Sequence, residues 1–179
     1  MRRAGVLLAL TVMVLAGCRT EPGWHPSAPF APSLRPAFGA RVTDGKLQIW
    51  TGSPCAGTRF TLAFEPSRFE LQLTSGVEGG AAVEYLTLGG PYPPGLAISK
   101  PLPEGFDWRS QDSMRISIYG GLTFWGSTTD LAEVVHGSGQ HPVDTYWFQD
   151  VGWLNPAEVA AQDGKTFLAT CTADPAKKG

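Results

Sequence analysis

The chain has 179 residues, of which 14 are basic and 16 acidic, so its formal net charge at pH 7 is −2. A nucleic-acid-binding protein would show an excess of basic residues or a basic stripe, so the composition argues against nucleic acid as a partner. The 22 glycines, 15 prolines and 11% aromatic residues favour strands and turns over long helices.

The first 17 residues have the three parts of a secretory signal peptide. Two arginines follow Met1, an apolar run extends from Ala4 to Leu15, and two small residues precede Cys18. The apolar run is too short for a membrane-spanning helix, which needs about 20 residues. We therefore predict that residues 1–17 are a signal peptide and not a spanning anchor.

The end of this segment, Leu15-Ala16-Gly17-Cys18, resembles the lipobox of bacterial lipoproteins. The resemblance implies transfer of diacylglycerol to the Cys18 thiol, cleavage before Cys18 and acylation of the new amino terminus. Two or three acyl chains hold a protein on a bilayer far better than one. The predicted location is therefore the extracytoplasmic side of the cell membrane, with the lipid on Cys18 as anchor and no other cofactor.

The cysteine count agrees with this interpretation. The chain has three cysteines, and an odd count in an exported protein requires an explanation. If Cys18 carries lipid, Cys55 and Cys171 remain to form one disulfide in an oxidising compartment. Such a bridge closes a long loop and contributes roughly 4 to 5 kcal/mol in the chain-entropy model. Cys55 as a nucleophile is the alternative, although the sequence identifies no base beside it.

A proline-rich segment follows the cysteine. Residues 18–36 contain prolines at positions 22, 26, 29, 32 and 36 and no apolar periodicity. Such segments favour extended polyproline-like conformations of about 3.1 Å per residue, which gives a reach of roughly 55 Å. We predict that residues 18–36 are a lipidated stalk and that residues 37–179 form a single β-rich domain.

The clearest strand signal surrounds Asp44-Gly45, a dipeptide typical of two-residue hairpin loops. The register that this turn predicts places Val42 opposite Leu47 and Ala40 opposite Ile49 on one face. Two runs with strict alternation follow. They are Phe60, Leu62 and Phe64, then Phe69, Leu71 and Leu73.

Further predicted strands are residues 83–88, 115–119, 122–125, 145–148 and 166–172. One short helix is predicted after Asn155, which can cap it together with Glu158, and it ends before Gly164. A weaker helix signal covers Asp130–His136. The predicted fold is all-β, an antiparallel β-sandwich or barrel-like sheet with one or two short helices.

One segment has the residue types of a metal site. Glu133, His136 and His141, with Asp144 nearby, offer imidazole and carboxylate ligands that suit zinc or copper. The glycines between the histidines do not force the rings together, so two exposed loop histidines are the alternative.

Two features indicate a binding surface. The chain has six tryptophans, and Trp108, Trp147 and Trp153 are the candidates for a flat aromatic platform that would bind sugar rings or an acyl chain. The alternative is a strand buried on both faces. The proline-rich residues 89–108 form a second candidate, either a binding edge or a plain crossing between sheets.

The leading hypothesis is a non-catalytic binding or interaction module of the cell envelope, with an envelope protein, a glycan or a lipid as its ligand. One alternative is a cell-envelope hydrolase or metal-dependent enzyme. It would use either the Glu133 to His141 segment or carboxylates of the long loop such as Glu104, Asp107 and Asp112. A further alternative is a carrier of apolar ligands with a cavity between its sheets.

Overall fold

A computed structural model describes residues 33–120 and 123–177. It contains ten strands and two short helices, which in chain order are β1 (Gly39–Thr43), β2 (Lys46–Gly57), β3 (Arg59–Glu65), β4 (Glu70–Ser75), β5 (Ala81–Thr87), β6 (Leu96–Lys100), β7 (Ser113–Gly120), β8 (Thr123–Asp130), α1 (Leu131–Gly137), β9 (Tyr146–Phe148), β10 (Gly152–Leu154) and α2 (Pro156–Gln162). The first sheet has the order β10-β9-β1-β2-β5 and the second β6-β4-β3-β7-β8. All strand pairs are antiparallel, and the predicted all-β sandwich is confirmed.

The first hairpin has the predicted register. Asp44 and Gly45 both have positive φ, 49° and 73°, and Val42 pairs with Leu47. Ala40 pairs with Ile49, and Ile49 continues the contact to Leu86 of β5. A local turn signal therefore sets the alignment of β1 and β2.

The main core lies between the two sheets. Phe60, Leu62 and Phe64 of β3 are fully buried, as their alternation predicts. They join Leu47 and Ile49 of the first sheet in one apolar cluster. The space between the sheets is thus occupied by large side chains.

The first sheet is also covered on its outer face. Trp50 and Phe148 of this face pack in a second cluster with Val159 of α2 and with Phe167. The predicted capping box of α2 is present, because Asn155 Oδ1 accepts from the N–H of Glu158 and the Glu158 carboxylate accepts from the N–H of Asn155. The second helix signal is confirmed by α1, which Asp130 caps.

The predicted strand over residues 166–172 is wrong. Within this segment Phe167 and Leu168 make only isolated bridges, to Asp163 and Pro36. The Asp163 carboxylate accepts from the N–H of Ala169 at 2.7 Å and from the hydroxyl of Thr172 at 2.7 Å. Leu168 and Thr170 donate instead to the main-chain carbonyls of Arg35 and Thr51. The N–H groups of the segment thus bond to different parts of the chain, and no ladder with one partner strand forms.

The predicted disulfide between Cys55 and Cys171 is present and closes a sequence separation of 116 residues. Cys55 lies in β2, and Cys171 adopts a positive φ of 64°. The bridge ties the first sheet to the carboxyl-terminal segment.

None of the helices in residues 33–120 and 123–177 is long and apolar enough to cross a membrane.

Candidate functional site

The candidate metal ligands have separate neighbours. Glu133 and His136 are exposed on α1, where a ring nitrogen of His136 lies 2.9 Å from the amide nitrogen of Gln140. His141 instead stacks on Trp153, with 4.7 Å between ring centroids and an interplanar angle of 10°. Among the described residues there is no group of three or more His, Cys, Asp or Glu side chains placed to hold a metal ion.

A buried arginine fixes the loop that contains His141. Arg41 has only 5% exposure, and its two terminal nitrogens donate to main-chain carbonyls of this loop. The four acceptors are the carbonyl oxygens of Pro142 at 2.7 Å, Thr145 at 2.9 Å, Ser138 at 2.7 Å and His141 at 3.2 Å. These acceptors satisfy the buried guanidinium and fasten residues 138–145 to β1.

The three candidate tryptophans of the binding surface have different surroundings. Trp147 and Trp153 are cross-strand partners, but their rings are inclined by 49° and His141 covers one face of Trp153. A flat platform needs coplanar, uncovered rings. Trp108 has 7% exposure and belongs to the main core, so it does not contribute an exposed aromatic face.

The long loop of residues 89–108 contains an edge strand that the sequence pattern does not predict. In this strand, β6, Ile98 pairs with Leu73 of β4, and the ammonium of Lys100 lies 2.9 Å from the Glu70 carboxylate. The hydrogen bond from Lys100 lowers the pKa of Glu70. The prolines around β6 disfavour a strand locally, but pairing with β4 stabilises it. Because β4 lies more than 20 residues earlier in the sequence, the local pattern does not reveal this pairing.

Beneath this loop lies an open apolar groove of about 310 Å³, which we call the proline-loop groove. Its walls combine aliphatic, aromatic and proline side chains: Leu71, Leu88, Gly89, Tyr92, Ile98, Pro101, Leu102, Pro103, Gly105, Phe106 and Trp108. Two apolar side chains at the groove or beside it are exposed to solvent, Ile98 at 51% and Phe69 at 44%. Clustered exposed apolar residues of this kind mark interaction surfaces.

Aromatic contacts fix the groove to the core. The ring of Phe106 meets Phe64 with centroids 5.0 Å apart and Phe69 with centroids 5.8 Å apart, both edge-on. The Asp107 carboxylate accepts from the N–H of Arg109 and so caps the 3-10 turn at Trp108–Ser110. The groove wall is therefore part of a packed structure and is preformed.

Tyr92 and Trp108 are the two lining residues whose side chains carry a polar atom. Burial raises the pKa of the Tyr92 phenol above its ordinary value of 10.0, while a backbone hydrogen bond with Gly89 acts in the opposite direction. None of the described residues accepts a hydrogen bond from the indole N–H of Trp108. The lining is therefore mainly apolar, with one phenol and one indole among its side chains.

A larger cavity of about 440 Å³ lies beside the disulfide, with Leu34, Ile118, Trp125, Leu168 and Cys171 among its walls. The described chain enters the fold here. Leu168 accepts from the N–H of Ala37 at 2.9 Å, and the Pro36 carbonyl accepts from Ser127 at 2.7 Å. Because this cavity adjoins residues outside the described range, we regard the proline-loop groove as the better-defined candidate site.

The groove and this cavity lie at opposite edges of the second sheet. The groove involves Ile98 of the edge strand β6, whereas the cavity involves Trp125 of the other edge strand, β8. Along the strands the two are level with each other, because the successive cross-strand partners are Ile98, Leu73, Phe60, Ile118 and Trp125. The described chain thus enters the sandwich beside β8, the edge strand opposite to β6.

The sequence indicated the loop as a binding edge but did not identify Tyr92, Ile98 or Phe106 as its lining. The only local signal is the alternation of aromatic residues and prolines in residues 89–108.

Cys18 and residues 1–32 lie outside the described residues, so the lipobox and most of the predicted stalk stay predictions. No protein-family model, curated protein or solved structure matches this chain.

Proposed function

We propose that this protein is a membrane-anchored extracytoplasmic lipoprotein that acts as a non-catalytic binding module of the cell envelope. The observation that carries the binding role is the proline-loop groove. It is open, apolar and aromatic, and it is held in place by the contact between Phe106 and Phe64. Preformed apolar surfaces with a few polar donors are typical of recognition sites.

The position of the groove supports this role. Leu34 lies beside the edge of the second sheet that is opposite to the groove. A lipid on Cys18 would precede Leu34 by about 16 residues, a reach of roughly 50 Å in an extended polyproline-like chain. An anchor attached at that edge would leave the groove accessible to other envelope components.

The two alternatives gain no supporting contact from the described residues. His136 and His141 each have a different neighbour, so no arrangement favours a metal-dependent enzyme. A carrier requires room between the sheets, where Phe60, Leu62 and Phe64 are fully buried. Both alternatives stay predictions.

Photo-crosslinking in living cells tests the groove. A photoreactive amino acid replaces Ile98 in the full-length chain, and a second strain carries it in place of Val143, an apolar residue of the 138–145 loop that is 86% exposed. We expect discrete crosslinked products from position 98 that are absent at position 143. Equal products at both positions, or none at position 98, would contradict the binding role of the groove.

A separate experiment tests the anchor. Cys18→Ser removes the thiol that the lipobox resemblance assigns to the lipid, so the protein should leave the membrane fraction. If the variant stayed with the membranes as firmly as the wild type, lipid anchoring at Cys18 would be wrong. The result does not depend on the groove.

A further inference from the structure

We propose that the cavity beside the disulfide holds residues 29–32 of the same chain, with the ring of Phe30 between β8 and the carboxyl-terminal segment. The inference concerns this larger cavity and not the proline-loop groove, so it goes beyond the proposed function. It assigns the last part of the predicted stalk to the folded domain.

The chain is fastened to the wall of the cavity just after this segment. The Arg35 carbonyl accepts from the N–H of Leu168 at 2.9 Å, and the Pro36 carbonyl accepts from the hydroxyl of Ser127 at 2.7 Å. The side chain of Leu34 already forms part of the cavity wall. The residues directly before Leu34 therefore start at the cavity and need no linker to reach it.

Chain length and cavity size both permit the docking of Phe30. Phe30 is four residues before Leu34, and four residues span at most about 14 Å. A space of about 440 Å³ is within the range of pockets that hold small ligands. It can therefore admit one aromatic side chain.

The segment matches the walls in polarity. Residues 29–32 read Pro-Phe-Ala-Pro and carry no charged side chain. The cavity is lined mainly by apolar residues, which include Ile118, Trp125 and Leu168. Moving an apolar ring from water to such walls is favourable, so the cavity stabilises a docked Phe30.

An unpartnered donor gives an independent indication of an occupant. The indole nitrogen of Trp125 is buried, and none of the described residues accepts a hydrogen bond from it. Buried polar groups in folded proteins nearly always have a partner. A proline-rich segment in an extended polyproline-like conformation makes no internal main-chain hydrogen bonds. A carbonyl of residues 29–32 is therefore free to accept from Trp125.

Covalent connection selects the same molecule as the source of the segment. A short flexible linker gives a tethered group an effective concentration in the millimolar range, and this segment is joined directly to Leu34 of the cavity wall. A second copy or a free ligand has to compete from solution. The segment of the same chain therefore occupies the cavity first.

Docking has two consequences for the molecule. Cys171 is exposed and lines the cavity, whereas Cys55 is buried. A ring in the cavity restricts the access of a thiol to the Cys171 sulfur. Residues 19–28 are then the free part of the stalk, with a reach of about 31 Å in an extended polyproline-like chain.

Photo-crosslinking identifies what position 30 contacts. The full-length chain carries p-azidophenylalanine, which keeps an aromatic ring, in place of Phe30, and a matched chain carries it in place of Trp24. Both are purified in detergent and irradiated. Mass spectrometry should find position 30 joined to residues 123–127 or 168–174, and position 24 should give no such product.

A mixed sample identifies the source of the segment. Isotope-labelled and unlabelled chains with the photoreactive group at position 30 are combined before irradiation. We expect crosslinked peptides in which both halves are labelled or both are unlabelled. Hybrid peptides in the proportion of a random mixture would show that a second copy supplies the segment, and the inference would be wrong.

The rate of disulfide reduction measures access to the cavity. Dithiothreitol reduces the Cys55–Cys171 bridge while it is itself oxidised to a cyclic disulfide, and the rate depends on access to the sulfur. Phe30→Asp should raise this rate at least about threefold, because a carboxylate is unfavourable among apolar walls. Trp24→Asp, a control in the same stalk, should leave the rate unchanged.

Either of two further results would overturn the inference. One is the absence of any crosslink from position 30 to the cavity. The other is reduction of the Phe30→Asp variant at the rate of the wild type. Crosslinking at position 98 does not depend on Phe30, so this inference and the proposed function fail separately.

Discussion

The ring of Phe106 in the proline-rich loop lies 5.0 Å from the ring of Phe64, and the two planes are inclined by 62°. Phe64 is fully buried between the sheets. This pair therefore connects the wall of the groove directly to the core, and the loop should lose its order when the contact is removed.

The pair gives a prediction with a matched control. Phe106→Ala should lower the free energy of unfolding by about 1 to 3 kcal/mol, because a half-buried aromatic contact with the core is lost. Phe69→Ala should cost less than about 1 kcal/mol, since Phe69 is much more exposed. Urea unfolding followed by tryptophan fluorescence measures both. Equal losses would show that the loop is not held by Phe106.

Arg41 provides a second prediction. Arg41→Met should lower the free energy of unfolding by about 2 to 4 kcal/mol, because it leaves buried carbonyls of residues 138–145 without a donor. Arg41→Lys should recover only part of the loss, since an ammonium cannot reproduce the planar fork of four donors. Arg115→Lys, at an exposed position of β7, is the control and should be nearly neutral. If Arg41→Met proved as stable as the control, the carbonyl contacts would not support the loop.

Substitutions at Gly137 and Gly139 distinguish the effect of side-chain packing on stability from the effect of backbone entropy. A Cβ at Gly137 would lie 2.5 Å from the Trp153 ring, whereas a Cβ at Gly139 would have nothing within 4 Å. Gly137→Ala should therefore destabilise the fold by about 1 to 3 kcal/mol through overpacking. Gly139→Ala should be neutral or stabilising by up to about 1 kcal/mol, because it restricts the unfolded chain. Thermal unfolding of both variants tests this, and similar melting temperatures would contradict the close approach to Trp153.

Alkaline conditions should weaken the fold through buried phenols. Burial raises the pKa of Tyr92 and of Tyr146 above the ordinary value. A raised pKa means that the neutral phenol is favoured in the fold. Its contribution is fully present below about pH 10, where the unfolded phenol is also neutral. The contribution is lost as the pH rises through the higher pKa of the folded state.

The variant Tyr92→Phe tests whether stability falls at alkaline pH because the Tyr92 phenol ionises. The variant should lose less stability than the wild type between about pH 9.5 and 11, because one titrating phenol is gone. Urea unfolding at several pH values gives the two slopes. If the slopes coincide, Tyr92 does not titrate differently in the folded and unfolded chain.

The sequence allowed prediction where the determinant is local. The Asp44-Gly45 turn fixed the register of β1 and β2, and the Asn155 to Glu158 capping box identified α2. Both signals act within a few residues, so their outcome does not depend on the rest of the chain.

Prediction from the sequence failed where the secondary structure depends on residues that are distant in the chain. The alternation in residues 166–172 resembles a strand, but its N–H groups donate to Arg35, Asp163 and Thr51, which lie in separate parts of the chain, so no single strand pairs with it. The proline-rich loop showed no strand pattern, yet Ile98 pairs with Leu73 across the sheet. The groove has the same origin, since its walls come from β4, β6 and the loop and meet only in three dimensions.

Amide hydrogen exchange tests the central claim most directly. The full-length chain is compared in its native envelope membranes and after purification in detergent. A bound partner should slow exchange in residues 96–106 of the groove in the membranes and leave residues 139–145 unchanged. Equal exchange rates in both segments under both conditions would contradict a binding role for the groove.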